Sequence, residues 1–215
     1  MGNDLKEYLL KNQMQITIGL EELRSIDFDM FFKDSFKSSP TTSTYYFNTP
    51  GDEHYRLLSY LSTQFNNTTI LDIGTAHGNS ALSLSYNPSN TVYTFDIKDT
   101  VENTAIRQKE NITRSLDNLF DKIIQQKWLK VILSSPFIFL DVDPHNGMME
   151  YDFYTFLKDI NYQGFLICDD VHHFAEMRDN FWNKIPDSEK IDLTKYGHWS
   201  GTGVVVFSDR VSFSI

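Results

Sequence analysis

Short apolar runs that end in aspartate recur through the middle of the chain. The runs are TILDIG from Thr69, VYTFDI from Val92, FIFLDVD from Phe137 and GFLICDD from Gly164. Runs of this kind are typical of strands buried on both faces, and the stretches between them have helical spacing. This alternation predicts an α/β fold with a doubly wound, mostly parallel sheet.

The last part of the chain has a different pattern. Residues 190–207 read KIDLTKYGHWSGTGVVVF, in which two β-rich runs flank a short loop that contains glycine. The pattern predicts an antiparallel C-terminal hairpin that closes the edge of the sheet.

The N-terminal part lacks the strand pattern. Residues 1–49 look helical and irregular, and Leu57, Leu58 and Leu61 then share one face of a predicted helix. We therefore expect an N-terminal helical lead-in or cap over residues 1–49 and a single domain over residues 50–215.

The composition and charge of the chain argue against some classes of binding partner and location. The 215 residues carry a formal charge of -10, which repels the phosphate backbone of nucleic acids. No apolar run approaches the roughly 18 residues of a membrane span. The single cysteine, Cys168, cannot form a disulfide within the chain, which favours a reducing, cytoplasmic location. Homo-oligomer formation stays open.

The clearest chemical signal lies in residues 70–80, which read ILDIGTAHGNS. Gly74 permits a tight turn after a strand, and Gly78 lets the backbone approach a ligand before a helix. Asp72 is costly to bury without a cationic partner, so it suits a ligand with an ammonium group. Glycine at such a turn also has a purely structural explanation. The G-x-G-x-x-G fingerprint of nicotinamide binding is absent.

Asp96 suggests a second contact with the same ligand. It ends the second strand, and an acid about 20 residues beyond the glycine turn is placed to accept hydrogen bonds from ribose hydroxyls. A helix cap or a turn is the alternative explanation. Asp72, Gly74, Gly78 and Asp96 together point to a nucleoside with an amino-acid tail, and that ligand is S-adenosylmethionine.

The run ILDIGTAHGNSALSLS followed by VYTFDI resembles the first two motifs of class I S-adenosylmethionine-dependent methyltransferases. The resemblance covers residues 50–207 and implies a seven-stranded, Rossmann-like sheet. It also implies that the glycine-rich loop holds the methionine end of the cofactor and that Asp96 holds the ribose. Ser80 matches the serine that catechol-type O-methyltransferases use near the cofactor carboxylate. Asp117, in RSLDNLF, is the candidate for the adenine contact.

Four acids follow the last two of the aspartate-ending runs. Asp141 and Asp143 lie in FLDVDPH, and Asp169 and Asp170 lie in ICDDVHH. The carboxyl ends of parallel strands meet at one edge of a sheet, where open α/β sheets bind ligands. Carboxylates gathered there repel one another unless a cation or a proton intervenes, and their oxygens suit Mg²⁺, Mn²⁺ or Ca²⁺. Helix caps and loop solvation are the alternative explanation.

This arrangement of acids resembles the metal site of the cation-dependent O-methyltransferases. The resemblance implies that Asp141, Asp169 and Asp170 hold the ion, with Mg²⁺ as the first candidate. The D-x-D spacing is most similar to the macrocin and noviose sugar O-methyltransferases. That similarity implies Asp143 as the general base.

Several residues near these acids have competing explanations. Val142 stands where the sugar O-methyltransferases commonly have glycine, and His145 competes as the base because histidine titrates near neutral pH. His172 has equal claims to a structural role and a site role. His198 and Trp199 lie between the last two strands, on the same edge as the carboxylates. Trp199 can stack on a sugar there or plug the hairpin.

The sequence therefore predicts a metal-dependent, S-adenosylmethionine-dependent O-methyltransferase that acts on a hydroxyl of a sugar or glycan. A catechol or phenolic acceptor is the nearest alternative. A non-catalytic cofactor- or carbohydrate-binding module of the same fold is the competing class. A nicotinamide dehydrogenase is disfavoured by the glycine spacing.

Overall fold

The computed structural model describes residues 13–27 and 51–215. The strands are β1 (Met14–Thr17), β2 (Thr69–Ile73), β3 (Thr91–Phe95), β4 (Ile112–Ser115), β5 (Phe137–Leu140), β6 (Phe165–Cys168), β7 (Lys190–Asp192), β8 (Gly203–Val206) and β9 (Val211–Ser214). The α-helices are α1 (Leu20–Arg24), α2 (Gly51–Thr63), α3 (Asn79–Leu84), α4 (Thr104–Arg107), α5 (Lys122–Ser134), α6 (Met148–Asp159) and α7 (Ala175–Asn180), and Trp182–Lys184 forms a short 3-10 helix.

Seven of these strands form one sheet, in the order β4-β3-β2-β5-β6-β8-β7. Neighbouring strands are parallel except at β8, which runs antiparallel to both β6 and β7. The doubly wound, mostly parallel sheet and the antiparallel C-terminal hairpin predicted from the sequence are confirmed.

Helices cover both faces of the sheet. On one face, Leu57 of α2 packs in the same cluster as Phe139 of β5. On the other face, Phe153 of α6 packs in the same cluster as Leu140 of β5. A strand between two layers of helices has no solvent side, which explains why its apolar run is continuous rather than alternating.

The described part of the N-terminal lead-in contains the short helix α1, as predicted, and also a strand that was not predicted. Met14–Thr17 is a strand that pairs in parallel with Val211–Ser214, in a small sheet separate from the large one. Ile16 and Ile18 are buried in the same cluster as α2. A strand whose partner lies at the other end of the chain leaves little local signal, because its sequence run is short and its pairing is not local.

The rest of residues 1–49 lies outside the described residues, so the proposed boundary before residue 50 stays a prediction. No helix in the described ranges is long and apolar enough to cross a membrane.

The pairing of the two chain ends gives a test of stability. Ile16→Ala removes a fully buried side chain and should lower the free energy of unfolding by about 2–5 kcal/mol, the usual cost of such a truncation. Chemical denaturation measures this change. Gln15→Ala, at an exposed position of the same strand, is the control and should change stability by no more than about 0.5 kcal/mol. If both variants behave alike, β1 does not pack on the core in solution.

Candidate functional site

The strand order reverses between β2 and β5, and open α/β sheets bind ligands at such a reversal, beyond the carboxyl ends of the strands. Gly74 follows β2 and Asp141 follows β5. The two backbones are so close that a Cβ atom on Gly74 would lie 1.7 Å from the carbonyl oxygen of Asp141. The predicted cofactor loop and the predicted metal edge are therefore neighbours.

The glycine-rich loop has backbone conformations that favour glycine. The φ angle is 102° at Gly74 and 88° at Gly78, in the left-handed region that other residues rarely adopt. Both glycines are therefore required by the backbone itself. Their contact with a ligand stays a prediction.

Asp72 lies in β2, two residues before Gly74, and is fully buried. Thr94 Oγ1 donates a hydrogen bond of 2.5 Å to Asp72 Oδ2, while Oδ1 has no hydrogen-bond partner among the described residues. Burial raises the pKa of Asp72 to about 7, although the hydrogen bond from Thr94 opposes the shift. The predicted place of Ser80 near a cofactor carboxylate stays a prediction. A ligand ammonium group would supply the charge partner that Asp72 lacks.

Asp96, directly after β3, is tied to the glycine-rich loop. Its Oδ2 accepts a hydrogen bond of 2.8 Å from the backbone N–H of Ala76, and its Oδ1 accepts one of 3.0 Å from that of Lys98. These are the turn contacts of the alternative explanation. They also hold the carboxylate at the crevice, and each oxygen keeps a further lone pair for a ribose hydroxyl.

Asp117 lies two residues after β4, and one oxygen of its carboxylate already accepts hydrogen bonds from three side chains of the protein. Lys127 Nζ and Trp128 Nε1 each donate to its Oδ2 at 2.6 Å, and Ser115 Oγ donates at 3.0 Å. The hydrogen bonds from Lys127 and Trp128 lower the pKa of Asp117. Any hydrogen bond with adenine would therefore involve Oδ1, the other oxygen of the Asp117 carboxylate.

Two exposed apolar side chains beside these acids were not singled out from the sequence. Ile97 follows Asp96 and Leu116 precedes Asp117, and each is more than half exposed. Large apolar side chains that face a crevice offer surface to a flat ring. An apolar residue next to an acid is too common in sequences to have indicated this.

The acids after β5 and β6 meet at one edge, as the parallel sheet predicts. Among the described residues, ligand atoms close enough to share one ion form two groups: Asp141 with His145 and Asp170, and Asp169 with Asp170 and His198. Within each group these atoms lie within 4.8 Å of one another. Each compact group contains a histidine, which the predicted set of three carboxylates does not.

Burial and the charges of neighbouring groups shift the pKa values of the acids and of His198 at this edge. Burial, followed by the charges of Asp169 and Asp170, raises the pKa of Asp141 well above its usual range. Burial also acts to raise the pKa of Asp169, but the imidazoles of His54 and His198 outweigh it and the net shift is downward. Attraction to Asp169 and Asp170 raises the pKa of His198 despite its burial. The acids therefore favour the protonated form of His198.

His145 lies between three acids. Its Nδ1 is 3.3 Å from Asp170 Oδ2 and 3.7 Å from Asp141 Oδ1, and its Nε2 is 3.2 Å from Asp143 Oδ1. The side chain of Asp143 is 96% exposed. The structure thus places His145 inside the acidic edge and Asp143 on its solvent side.

His54, on α2, is a site neighbour that the sequence reasoning missed. It is buried, its Nε2 is 4.0 Å from Asp169 Oδ2, and its ring centroid is 5.6 Å from that of His198. Burial lowers the pKa of His54 against the attraction of Asp169. A single histidine on an apolar helix face carries no signal of a site, so only the fold could reveal it.

The three predicted acceptor contacts have different surroundings. His172 Nε2 lies 2.7 Å from Asp192 Oδ2, which ties the loop after β6 to the end of β7. This contact supports the structural role for His172. His198 faces the acids, as described above. Trp199 is 60% exposed, and its ring meets the ring of His173 edge to face with centroids 4.9 Å apart.

Phe174 is a further aromatic residue that the sequence reasoning did not identify. Its partly exposed ring stacks on His145 with centroids 5.8 Å apart, and it meets His173 at 4.3 Å. We call His173, Phe174 and Trp199 the aromatic shelf. It lies next to the acidic edge, because Phe174 stacks on His145.

Sequence comparisons find no protein-family model and no curated protein that matches this chain. Solved structures do match its fold. A proposed caffeoyl-CoA O-methyltransferase from Staphylococcus aureus is 14% identical, with 95% of this chain and 99% of that chain covered and a TM-score of 0.58. The SAH-bound methyltransferase PaMTH1 from Podospora anserina is 13% identical, with 95% and 94% covered and a TM-score of 0.56. Cofactor-bound Rv0187 from MTB is 12% identical, with 84% and 91% covered and a TM-score of 0.54.

At these identities the likeness concerns the fold. The chain has the fold of class I S-adenosylmethionine-dependent methyltransferases, which confirms the architecture that the sequence resemblance implied. The sugar O-methyltransferase subgroup stays a prediction.

Asp72 gives a test of this site in the cofactor-free protein. Its pKa is about 7 in the fold but about 4 in an unfolded chain, so the unfolded state binds fewer protons between these values and wild-type stability falls as pH rises through them. Asp72→Asn removes this loss. The variant should be more stable than wild type at about pH 8, with a smaller advantage at about pH 5, by thermal unfolding.

Asp152→Asn, at an exposed position of α6, is the matched control for this experiment. An Asp72→Asn variant that differs from wild type equally at both pH values would contradict the buried carboxylate.

Proposed function

We propose that the protein is an S-adenosylmethionine-dependent O-methyltransferase assisted by a divalent cation. The observation that carries the proposal is the strand reversal, where the glycine-rich loop and Asp72 lie beside Asp141. The glycine-rich loop and Asp72 suit a nucleoside with an amino-acid tail. The acidic edge at Asp141 suits an ion together with the oxygen that attacks the methyl group. Methyl transfer needs these ligands side by side, because in-line attack is mainly a matter of positioning.

The chain offers a partner for each part of the cofactor. Asp72, with its unpartnered buried oxygen, suits the ammonium group, and Asp96 suits the ribose hydroxyls. Ile97 and Leu116 offer apolar surface to adenine, and the free oxygen of Asp117 suits its edge. When bound, S-adenosylmethionine would supply a methyl group on a sulfonium ion.

The acidic edge suits a divalent cation. The carboxyl groups of Asp141, Asp169 and Asp170 meet there, and the buried Asp169 Oδ1 has no hydrogen-bond partner among the described residues. A cation bound there would lower the pKa of a neighbouring hydroxyl group. The protein's own part is to orient the acceptor beside the glycine-rich loop and to take up its proton.

We propose His145 as the group that takes this proton, with Asp143 as its orienting partner. A hydrogen bond from His145 Nε2–H to Asp143 would leave Nδ1, which faces Asp141 and Asp170, free to accept a proton. The side chain of His145 is 22% exposed, whereas water surrounds Asp143. This favours His145 over Asp143, the base that the sequence resemblance implied.

A hydroxyl of a sugar or glycan is the acceptor we propose first. Two neighbouring hydroxyls can fill positions of an ion that its protein ligands leave open, and Trp199 offers a ring face to a sugar. A phenolic or catechol acceptor is the second candidate. The aromatic shelf supports it, as does the name of the Staphylococcus aureus protein of the same fold.

We also propose a cytoplasmic location. The support for it is Cys168, the single cysteine of the chain, which is a buried free thiol in β6. A homo-oligomer stays a prediction.

Product analysis tests the activity. The protein is incubated with S-adenosylmethionine that carries an isotopically labelled methyl group, together with panels of glycosides and catechols, and the products are identified by mass spectrometry. We expect a labelled methyl group on an oxygen of a glycoside and loss of that product in excess EDTA. Labelled catechols alone would favour the second acceptor class. Cofactor binding without any labelled product would favour a non-catalytic module, and full activity in EDTA would exclude the cation.

Kinetics of two variants test the proton acceptor. His145→Ala should lower kcat by about 10²–10⁴, the usual contribution of a general base, without changing the affinity for S-adenosylmethionine. Asp143→Asn should cause a smaller loss because the imidazole remains. If Asp143→Asn has the large effect and His145→Ala keeps the wild-type kcat, the base is Asp143.

A further inference from the structure

The two ion-sized groups at the acidic edge differ in depth. The group with Asp141 and His145 lies on the open side, next to the exposed Asp143. The other group contains Asp169, which is buried. We call Asp169, Asp170 and His198 the inner group.

The inner group contains an unsatisfied buried oxygen. Asp169 Oδ1 has no hydrogen-bond partner among the described residues, and His198 Nδ1, at 3.7 Å, is too distant for a hydrogen bond. His198 Nδ1 is also 3.9 Å from Asp170 Oδ1. Ligands of one metal ion lie about 2.0–2.2 Å from it and therefore about 3–4 Å from each other. The two distances from His198 are of this size, and the ligand atoms of the inner group all lie within 4.8 Å of one another.

The imidazole of His198 is held toward the acids by its own loop. The backbone N–H of His198 donates to Thr202 Oγ1 at 2.8 Å. Its Nδ1 contacts Ser200 Oγ, a contact that this nitrogen would give up on binding an ion. The backbone of Thr202 in turn accepts a hydrogen bond of 2.8 Å from Leu193 N–H, which closes the connection between β7 and β8. A ligand that is already positioned loses little conformational freedom when it binds an ion.

The two oxygens of Asp170 face different neighbours. Oδ1 lies toward His198, whereas Oδ2 lies 3.3 Å from His145 Nδ1. An ion in the inner group therefore uses one oxygen of Asp170 and leaves His145 on the acceptor side. The inner group is thus compatible with the proton acceptor proposed above.

We propose that Asp169, Asp170 and His198 bind the cation, so that one of its protein ligands is an imidazole nitrogen. The proposal rests on the proposed function and deepens it by naming the class of ion. Carboxylate oxygens suit Mg²⁺ and Ca²⁺, whereas imidazole favours first-row transition ions. A site with two carboxylates and one imidazole therefore takes Mn²⁺, Fe²⁺ or Co²⁺ in preference to Mg²⁺, which the sequence resemblance placed first.

Pulsed EPR of the protein loaded with Mn²⁺ alone tests the nitrogen ligand. A nitrogen bonded to Mn²⁺ produces a hyperfine coupling that oxygen ligands do not. We expect this coupling in the wild type and its loss in His198→Ala. His172→Ala is the matched control, because it removes a nearby imidazole that pairs with Asp192 outside the inner group, and it should keep the coupling.

Calorimetric titration with Mn²⁺ and with Mg²⁺ gives a second measurement. His198→Ala should weaken Mn²⁺ binding by at least about tenfold, the lower end of what the loss of a residue that merely orients a metal ligand costs, and should weaken Mg²⁺ binding less. Equal losses for both ions would overturn the proposal. So would a wild-type spectrum without nitrogen coupling, or a coupling that persists in His198→Ala and disappears in His145→Ala.

The wild-type spectrum requires no variant, so a misfolded variant does not leave the proposal without a test. Failure here can also be separated from failure of the proposed function. Methyl transfer that EDTA abolishes, in a protein without nitrogen coupling, overturns the inner group alone. Nitrogen coupling in a protein that methylates no acceptor supports the inner group and overturns the proposed function.

Discussion

Repulsion among carboxylates is the constraint on which the arrangement of this crevice depends. Asp141 and the pair Asp169 and Asp170 meet because β5 and β6 are adjacent and parallel, and like charges at such distances are costly where water is scarce. In this structure the pKa of Asp141 is raised, and the imidazole of His198 lies beside the acids. A bound divalent cation would neutralise more of the carboxylate charge than one imidazole can.

The strand reversal places these acids next to the glycine-rich loop. Because β2 and β5 are neighbours, the loop at Gly74 borders the backbone of Asp141. A ligand held by the loop would lie beside a ligand held by the acids. Methyl donor and acceptor would therefore meet at the one point where the topology brings two kinds of site together.

The fold could be predicted where its determinants are local. The aspartate-ending runs that became β5 and β6 are continuously apolar because helices cover both faces of the sheet, and β2 and β3 follow the same pattern with a few polar positions. The strand Met14–Thr17 could not be predicted in this way, since its partner is Val211–Ser214 at the other end of the chain. Its alternation is too short to distinguish it from an irregular segment.

The meeting of the acids at one edge could be predicted from the topology, because residues that follow adjacent parallel strands lie at the same edge of the sheet. The histidines and aromatic residues around them did not. His54 reaches Asp169 only because α2 packs against the sheet with that face inward. The position of His198 depends on hydrogen bonds within the loop between β7 and β8. Such contacts depend on tertiary packing, which a single sequence does not display.

The central claim is that the crevice at the strand reversal binds S-adenosylmethionine. Calorimetric titration of the wild type with S-adenosylmethionine, and separately with NAD, tests it most directly. We expect one S-adenosylmethionine to bind per chain, no heat with NAD, and a loss of roughly 1.5–3 kcal/mol for each charge-assisted hydrogen bond removed by Asp96→Ala. Binding of NAD without binding of S-adenosylmethionine would contradict the claim.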